Sequence, residues 1–117
     1  MKISYAITVC NEIEEIKRLI SFLLKHKREE DEIVVQQDLR ASVKGLPDMK
    51  VKTYCTEIAL HNESVRYIQF DLNGHFANFK NNLIKHCSGD YIFQIDADEI
   101  ITEVLIENLP SILESNP

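Results

Sequence analysis

A chain of 117 residues, 44% hydrophobic and 27% charged, is sized for one globular domain with a core of its own. Its formal charge of −6 excludes the broadly basic surface that nucleic acids select, although a nucleotide needs only a local site and can bring its own metal. Cys10, Cys55 and Cys87 stand far apart, with no CxxC or Cys/His spacing, which excludes a zinc-finger type of site.

An odd, sparse cysteine count suits a reducing compartment, with each thiol read as a small buried apolar residue and the location as cytoplasmic. Ile3 to Val9 is a strand apolar enough to be central in a sheet; at this length it cannot span a membrane, and contact with the inner membrane surface stays open. Asn11 then reads as a helix cap, with Glu14 at capping-box spacing and Glu12, Glu14 and Glu15 complementing the helix dipole. Ile13, Ile16, Leu19, Ile20, Leu23 and Leu24 recur at helical spacing, and Lys25-His26-Lys27-Arg28 is a solvated cationic end.

Ile33-Val34-Val35, running on to Gln36-Gln37-Asp38, is the second strand. Strand, helix and strand with a short return make a βαβ unit, so the two strands are parallel and their C-terminal ends share one edge. Residues 39–64 read as a variable insertion. There Gly45, Pro47 and Asp48 form a turn, Met49 to Cys55 has strand-like alternation, and Thr56 to His61 suits a short helical turn. Val65 to Phe70 alternates as a half-buried strand, and Asp71-Leu72-Asn73-Gly74 turns the chain. Phe76, Phe79, Leu83, Ile84 and Cys87 mark an amphipathic helix, stopped by Ser88-Gly89 with the glycine in the C′ place.

Tyr91 to Ile95 is a buried strand that runs out into Asp96-Ala97-Asp98-Glu99. In extended backbone, residues two apart project to the same side, with Cα atoms roughly 6–7 Å apart. Asp96 and Asp98 would then face the same space, where like charges repel unless a cation lies between them. Paired carboxylates suit Mg²⁺ or Mn²⁺; a solvated acidic turn is the plain alternative. Thr102 caps a last helix that Pro110 interrupts or kinks, with a final turn from Ser111 to Ser115 before Pro117. The whole is α/β: a three-layer α/β/α sandwich with a mostly parallel sheet, one domain over residues 1–117.

Four stretches carry a resemblance. Ile3 to Glu12 resembles the opening strand and turn of family-2 glycosyltransferases of the A-type, nucleotide-diphospho-sugar fold, and Ile33-Val34-Val35 resembles their second strand. Gly74 to Asn82 is similar to their helix entry, and Ser88 to Glu99 to their Gly-Asp-aromatic-strand-Asp-Ala-Asp-Glu signature. The variant ending in Glu is similar to enzymes that build lipopolysaccharide core or other cell-surface glycans.

The resemblance implies transfer of a glycosyl group from a nucleotide-diphospho-sugar, inverting in type, with Mn²⁺ or Mg²⁺ as cofactor. It implies Asp98 as the main metal ligand, with Asp96 sharing the metal or contacting the ribose. Thr8, Cys10 and Glu12 would line the base and ribose pocket, Asp38 or its neighbour Gln37 would hydrogen-bond the base, and Lys80 would lie near the phosphates. Cys10 stands where the family often has an aromatic residue, and Gln36-Gln37 where it often has acidic ones.

The general base of such enzymes comes from an acceptor-binding half, so this chain reads as the donor-binding half, truncated relative to the family, with no catalytic base assigned. A glycan or lipid-linked acceptor, peripheral membrane contact and a homodimer covering exposed apolar surface are the implied partners. Two other readings stand beside this one: a non-catalytic nucleotide-binding or interaction module, and a phosphatase or phosphotransferase using a nucleophilic Asp of the Asp-x-Asp pair.

Overall fold

The computed structural model describes residues 1–39, 46–72 and 74–115; Gly45, Asn73 and Pro117, placed in turns and at the end above, lie outside the described residues. The elements run β1 (Ile3–Val9), α1 (Ile13–His26), β2 (Glu32–Asp38), α2 (Met49–His61), β3 (Val65–Phe70), α3 (Phe76–Lys85), β4 (Tyr91–Asp96) and α4 (Glu103–Ser115). The strands lie in the order β3-β2-β1-β4, all parallel, with Ala6 opposite Val34 on one side and Gln94 on the other. After β3 the chain therefore crosses back over β1, and the sheet has its topological switch between β1 and β4.

Strand alternation sorts the core into two layers. Ile3, Tyr5, Ile7 and Val9 face α1, α2 and α4, burying Leu19, Ile20, Leu23, Val51, Cys55, Ile106 and Leu109 with them. Ala6 and Val34 face the other way, against Leu83 of α3. Both central strands are covered on both faces, which is why they read as apolar runs rather than alternations. Of the cysteines only Cys55 is fully buried, where desolvation pushes its thiol up to about 12 and makes it unreactive.

Four local expectations are corrected. First, Met49 to His61 is one helix: Asp48 caps it, its carboxylate accepting from the Val51 amide at 3.1 Å. Second, α1 begins one residue later than expected, with Glu12 rather than Asn11 in the cap position. The Glu12 carboxylate turns back to accept from the amides of Cys10 (2.7 Å) and Asn11 (2.9 Å). Third, α4 runs continuously through Pro110. It starts as expected, with Thr102 Oγ1 accepting from the Leu105 amide at 3.2 Å. Fourth, Gly89 is not a left-handed helix cap, a conformation that Gly74 alone adopts (φ 75°) among the described glycines. Gly89 is needed because its backbone presses on β1, as argued below.

The edge of the sheet opposite the switch is tied by buried carboxylates. Asp31 accepts from the Ile3 amide at 2.9 Å and from Arg28 at 2.9 Å through both Nε and Nη2. Glu32 accepts from Ser4 Oγ and the Ser88 amide, each at 2.6 Å, and pairs with Arg66 at 3.3 Å. Burial alone would raise the Glu32 carboxyl, but these donors and the Arg66 charge outweigh it and hold the group below its ordinary value. A lowered folded pKa means stability that is present above the unfolded glutamate value of about 4.3 and is lost as pH falls through the folded value. Glu32→Gln is therefore expected to be less stable at pH 7 and to lose less stability on acidification, seen in urea midpoints between about pH 6 and about pH 3. Parallel wild-type and variant curves would show that Glu32 does not carry this linkage.

Candidate functional site

Open parallel sheets place ligands outside the strand C-termini at the switch point. Here that place is an open cleft of about 380 Å³ between the ends of β1, β2 and β4 and the start of α3. Thr8, Cys10, Glu12, Asp38, Lys80, Asp96 and Asp98 all line it, joined by Val9, Leu72, Phe76, Phe79 and Ala97. The topology brings these residues together from four separate segments.

Asp96 and Asp98 meet in the cleft by a different route from the one the spacing suggests. β4 ends at Asp96, and the chain closes a turn in which the Glu99 amide donates to the Asp96 carbonyl at 2.9 Å. The Glu99 carboxylate locks that turn by accepting from the Asp96 amide at 2.9 Å. The Ala97 amide extends the ladder to the Thr8 carbonyl at 2.9 Å, and Ala97 itself is buried, so the turn is pinned between its two exposed aspartates. Thr8 Oγ1 donates to Asp96 Oδ1 at 2.6 Å, fixing that exposed carboxylate.

Asp38 is buried at the end of β2, where its Oδ1 accepts from the Leu72 amide at 3.2 Å. Gln37, the alternative considered for base recognition, does not line the cleft; its fully buried amide faces the α1/α2 layer. Glu12 lines the cleft with one oxygen already committed to the loop amides, so it shapes the β1–α1 turn as well as the wall. Cys10 is half-buried in that wall.

The charge balance is informative. Four carboxylates (Glu12, Asp38, Asp96, Asp98) and one lysine, Lys80, face the cleft among the described residues. Such a cleft repels a bare diphosphate, and its hard oxygen donors fit Mg²⁺ or Mn²⁺. Phe76 is the residue that sequence reasoning missed. It stands 65% exposed on the cleft rim, an aromatic face open to a planar ligand. The sequence places Phe76 at helical spacing with Phe79 and Leu83, on the apolar face, and only the structure shows that this first-turn position is left exposed.

The family model for glycosyl transferase family 2 matches residues 4–117. No curated protein matches the chain. The fold is similar to the crystal structure of S. aureus TarS 1-349, with a TM-score of 0.77 and 19% identity over 98% of this chain and 33% of that one. It is similar also to TarS 1-349 in complex with UDP, with a TM-score of 0.76 and 19% identity over 98% of this chain and 32% of that one. The chain thus spans about a third of the length of these structures. The α/β sandwich expected from the sequence is the fold they share.

Proposed function

The chain belongs to glycosyl transferase family 2, and on that premise we propose that it holds the donor in a glycosyl transfer, a nucleotide-diphospho-sugar seated in the cleft with a divalent cation. The observation that carries this reading is the cleft itself: an acidic pocket at the switch point, with two exposed carboxylates on a locked turn and a lysine in the facing helix. A divalent cation held by Asp98 and Asp96 supplies charge neutralisation for a leaving diphosphate.

The chain's own residues do the rest. Thr8 orients Asp96 through its 2.6 Å hydrogen bond, and Glu99 sets the turn that presents Asp98. Lys80, exposed on α3, offers a cation to the phosphates. Phe76 supplies the stacking surface for the base that Cys10 does not, and Asp38 the acceptor at its edge. The same proposal includes a glycan or lipid-linked acceptor in cell-surface glycan synthesis, of lipopolysaccharide or capsule type. Contact with the inner face of a membrane belongs to it too, although no described helix is long and apolar enough to cross one. A second copy of the chain is proposed to cover the exposed Ile100, Val104 and Ile112.

UDP, the nucleotide in one TarS structure, is the natural first probe. Calorimetry with UDP and other nucleoside diphosphates is expected to show binding that requires Mn²⁺ or Mg²⁺. Failure of every nucleoside diphosphate to bind, with metal or without, would overturn the reading. Binding with no transfer to any acceptor would favour a non-catalytic nucleotide-binding module.

A further inference from the structure

Two adjacent glutamines at the end of β2, Gln36 and Gln37, are both fully buried. Being neighbours in a strand, they point to opposite faces of the sheet. Gln36 reaches α3, its Nε2 donating to the Phe79 carbonyl at 2.8 Å and its Oε1 accepting from Asn82 Nδ2 at 2.7 Å. Gln37 reaches the other layer, where its Nε2 donates to the carbonyls of Cys10 at 3.0 Å and Asp48 at 3.1 Å. Its Oε1 accepts from the Tyr67 hydroxyl, which in turn accepts from Gln69 Nε2 at 2.9 Å.

These bonds end on the two walls of the cleft. Phe79 lies beside Lys80 on the α3 wall, and Cys10 belongs to the β1–α1 wall. We propose that Gln36 and Gln37 are positioning residues of the donor site, each holding one wall of the cleft to β2. The proposal rests on the donor-binding reading of the cleft given above.

The chemistry requires an amide at both positions. Each side chain must donate to a carbonyl and accept from a donor at once, which a carboxamide does and a carboxylate does not. A carboxylate at either place would set its oxygens against carbonyl oxygens in a buried site, an uncompensated repulsion. A leucine would keep most of the volume and lose every bond, leaving the Tyr67 hydroxyl and Asn82 amide to find other partners. In either substitution the wall is released while the residues that line the cleft are themselves unsubstituted.

The test compares Gln36→Leu, Gln37→Leu, Gln36→Glu and Gln37→Glu with wild type, using hydrogen exchange of the apo protein and calorimetry with UDP and Mn²⁺. Gln36→Leu is expected to speed exchange about tenfold in the first turns of α3 and not at residues 10–12; Gln37→Leu is expected to do the reverse. UDP affinity is expected to fall about tenfold in each, because a small displacement of a binding wall is costly. In the glutamate variants the loss relative to wild type should shrink as pH falls from about 8 to about 5, since a protonated carboxyl in a buried site can donate again.

Equal loosening of both walls by either variant would overturn the proposal, as would a UDP affinity unchanged alongside wild-type binding. Should the leucine variants unfold, the pH profile of the glutamate variants decides. If wild type binds no nucleoside diphosphate, the donor-binding reading fails, and the exchange pattern by itself decides whether each glutamine holds one wall; if it binds one other than UDP, that nucleotide replaces UDP in the calorimetry.

Discussion

Asp98→Ala is expected to abolish Mn²⁺-dependent binding of a nucleoside diphosphate while leaving the fold intact. Asp98 sits past the end of β4, exposed, on a turn whose geometry is held by the Asp96 and Glu99 backbone and by the Glu99 carboxylate rather than by its own side chain. Exposed substitutions of that kind change stability by less than about 0.5 kcal/mol. Loss of metal-dependent affinity should be at least about a hundredfold, because even the residues that support metal ligands are worth about ten- to a hundredfold. Asp96→Ala should differ in kind: it also removes the acceptor of Thr8 Oγ1, so it should lower both affinity and melting temperature. Calorimetry and thermal melts on the two variants separate these effects. Unchanged binding in Asp98→Ala would remove Asp98 from the metal site.

The largest stability effect is expected at Gly89. A Cβ there would stand 2.6 Å from Ser4 Oγ, 2.7 Å from the Ser4 backbone nitrogen and 3.0 Å from the Ile3 carbonyl carbon. The side-chain oxygen can swing away, but the backbone of β1 cannot move without disturbing its pairing with both β2 and β4. The same contact carries the Gly89 amide to Ser4 Oγ at 2.7 Å, and through Ser4 to the buried Glu32 carboxylate. Gly89→Ala should cost about 3 kcal/mol, at the upper end of overpacking effects. That is a large share of the roughly 5–15 kcal/mol that holds a domain together. Adding Ser4→Ala should not rescue it, because the backbone nitrogen remains in the way. Urea unfolding of the single and double variants measures this. A cost below about 1 kcal/mol would show that the loop before β4 lifts off the sheet easily.

What the sequence disclosed and what it hid follow from different physics. β1 and β2 were plain because strands covered on both faces are apolar almost throughout, and their parallel pairing followed from the short βαβ return. β4, expected as a buried strand, is instead an edge strand in which Ile95 is buried while Ile92 and Gln94 are exposed. The seven residues expected in the site do line one cleft, since the switch point follows from strand order. The helix α2 was hidden because Met49, Lys50, Val51 and Lys52 alternate like a strand, although Asp48 ahead of them is a capping residue. Glu12, Gln36 and Gln37 were also hidden. Their roles lie in hydrogen bonds to carbonyls and amides brought near by the tertiary fold, and a one-dimensional pattern of polarity holds no record of those. Gly89 was seen as a stop signal, but its reason, a close approach to a strand 85 positions earlier, is a property of packing.

The hydrogen bond from Thr8 to Asp96 spans 88 positions of sequence. At ribosomal elongation rates of about 5–20 residues per second, roughly 4 to 18 s separate the synthesis of its two ends. Once β2 has been made, and until β4 follows, β1 has β2 on one side and nothing from β4 on the other, so its second edge is open to the contents of the cell. The strand that covers this edge of β1 also brings Asp96 to the cleft. Nucleotide binding by a nascent chain would therefore report that β4 has docked, and a chaperone that shields the β1 edge would act in the window before it.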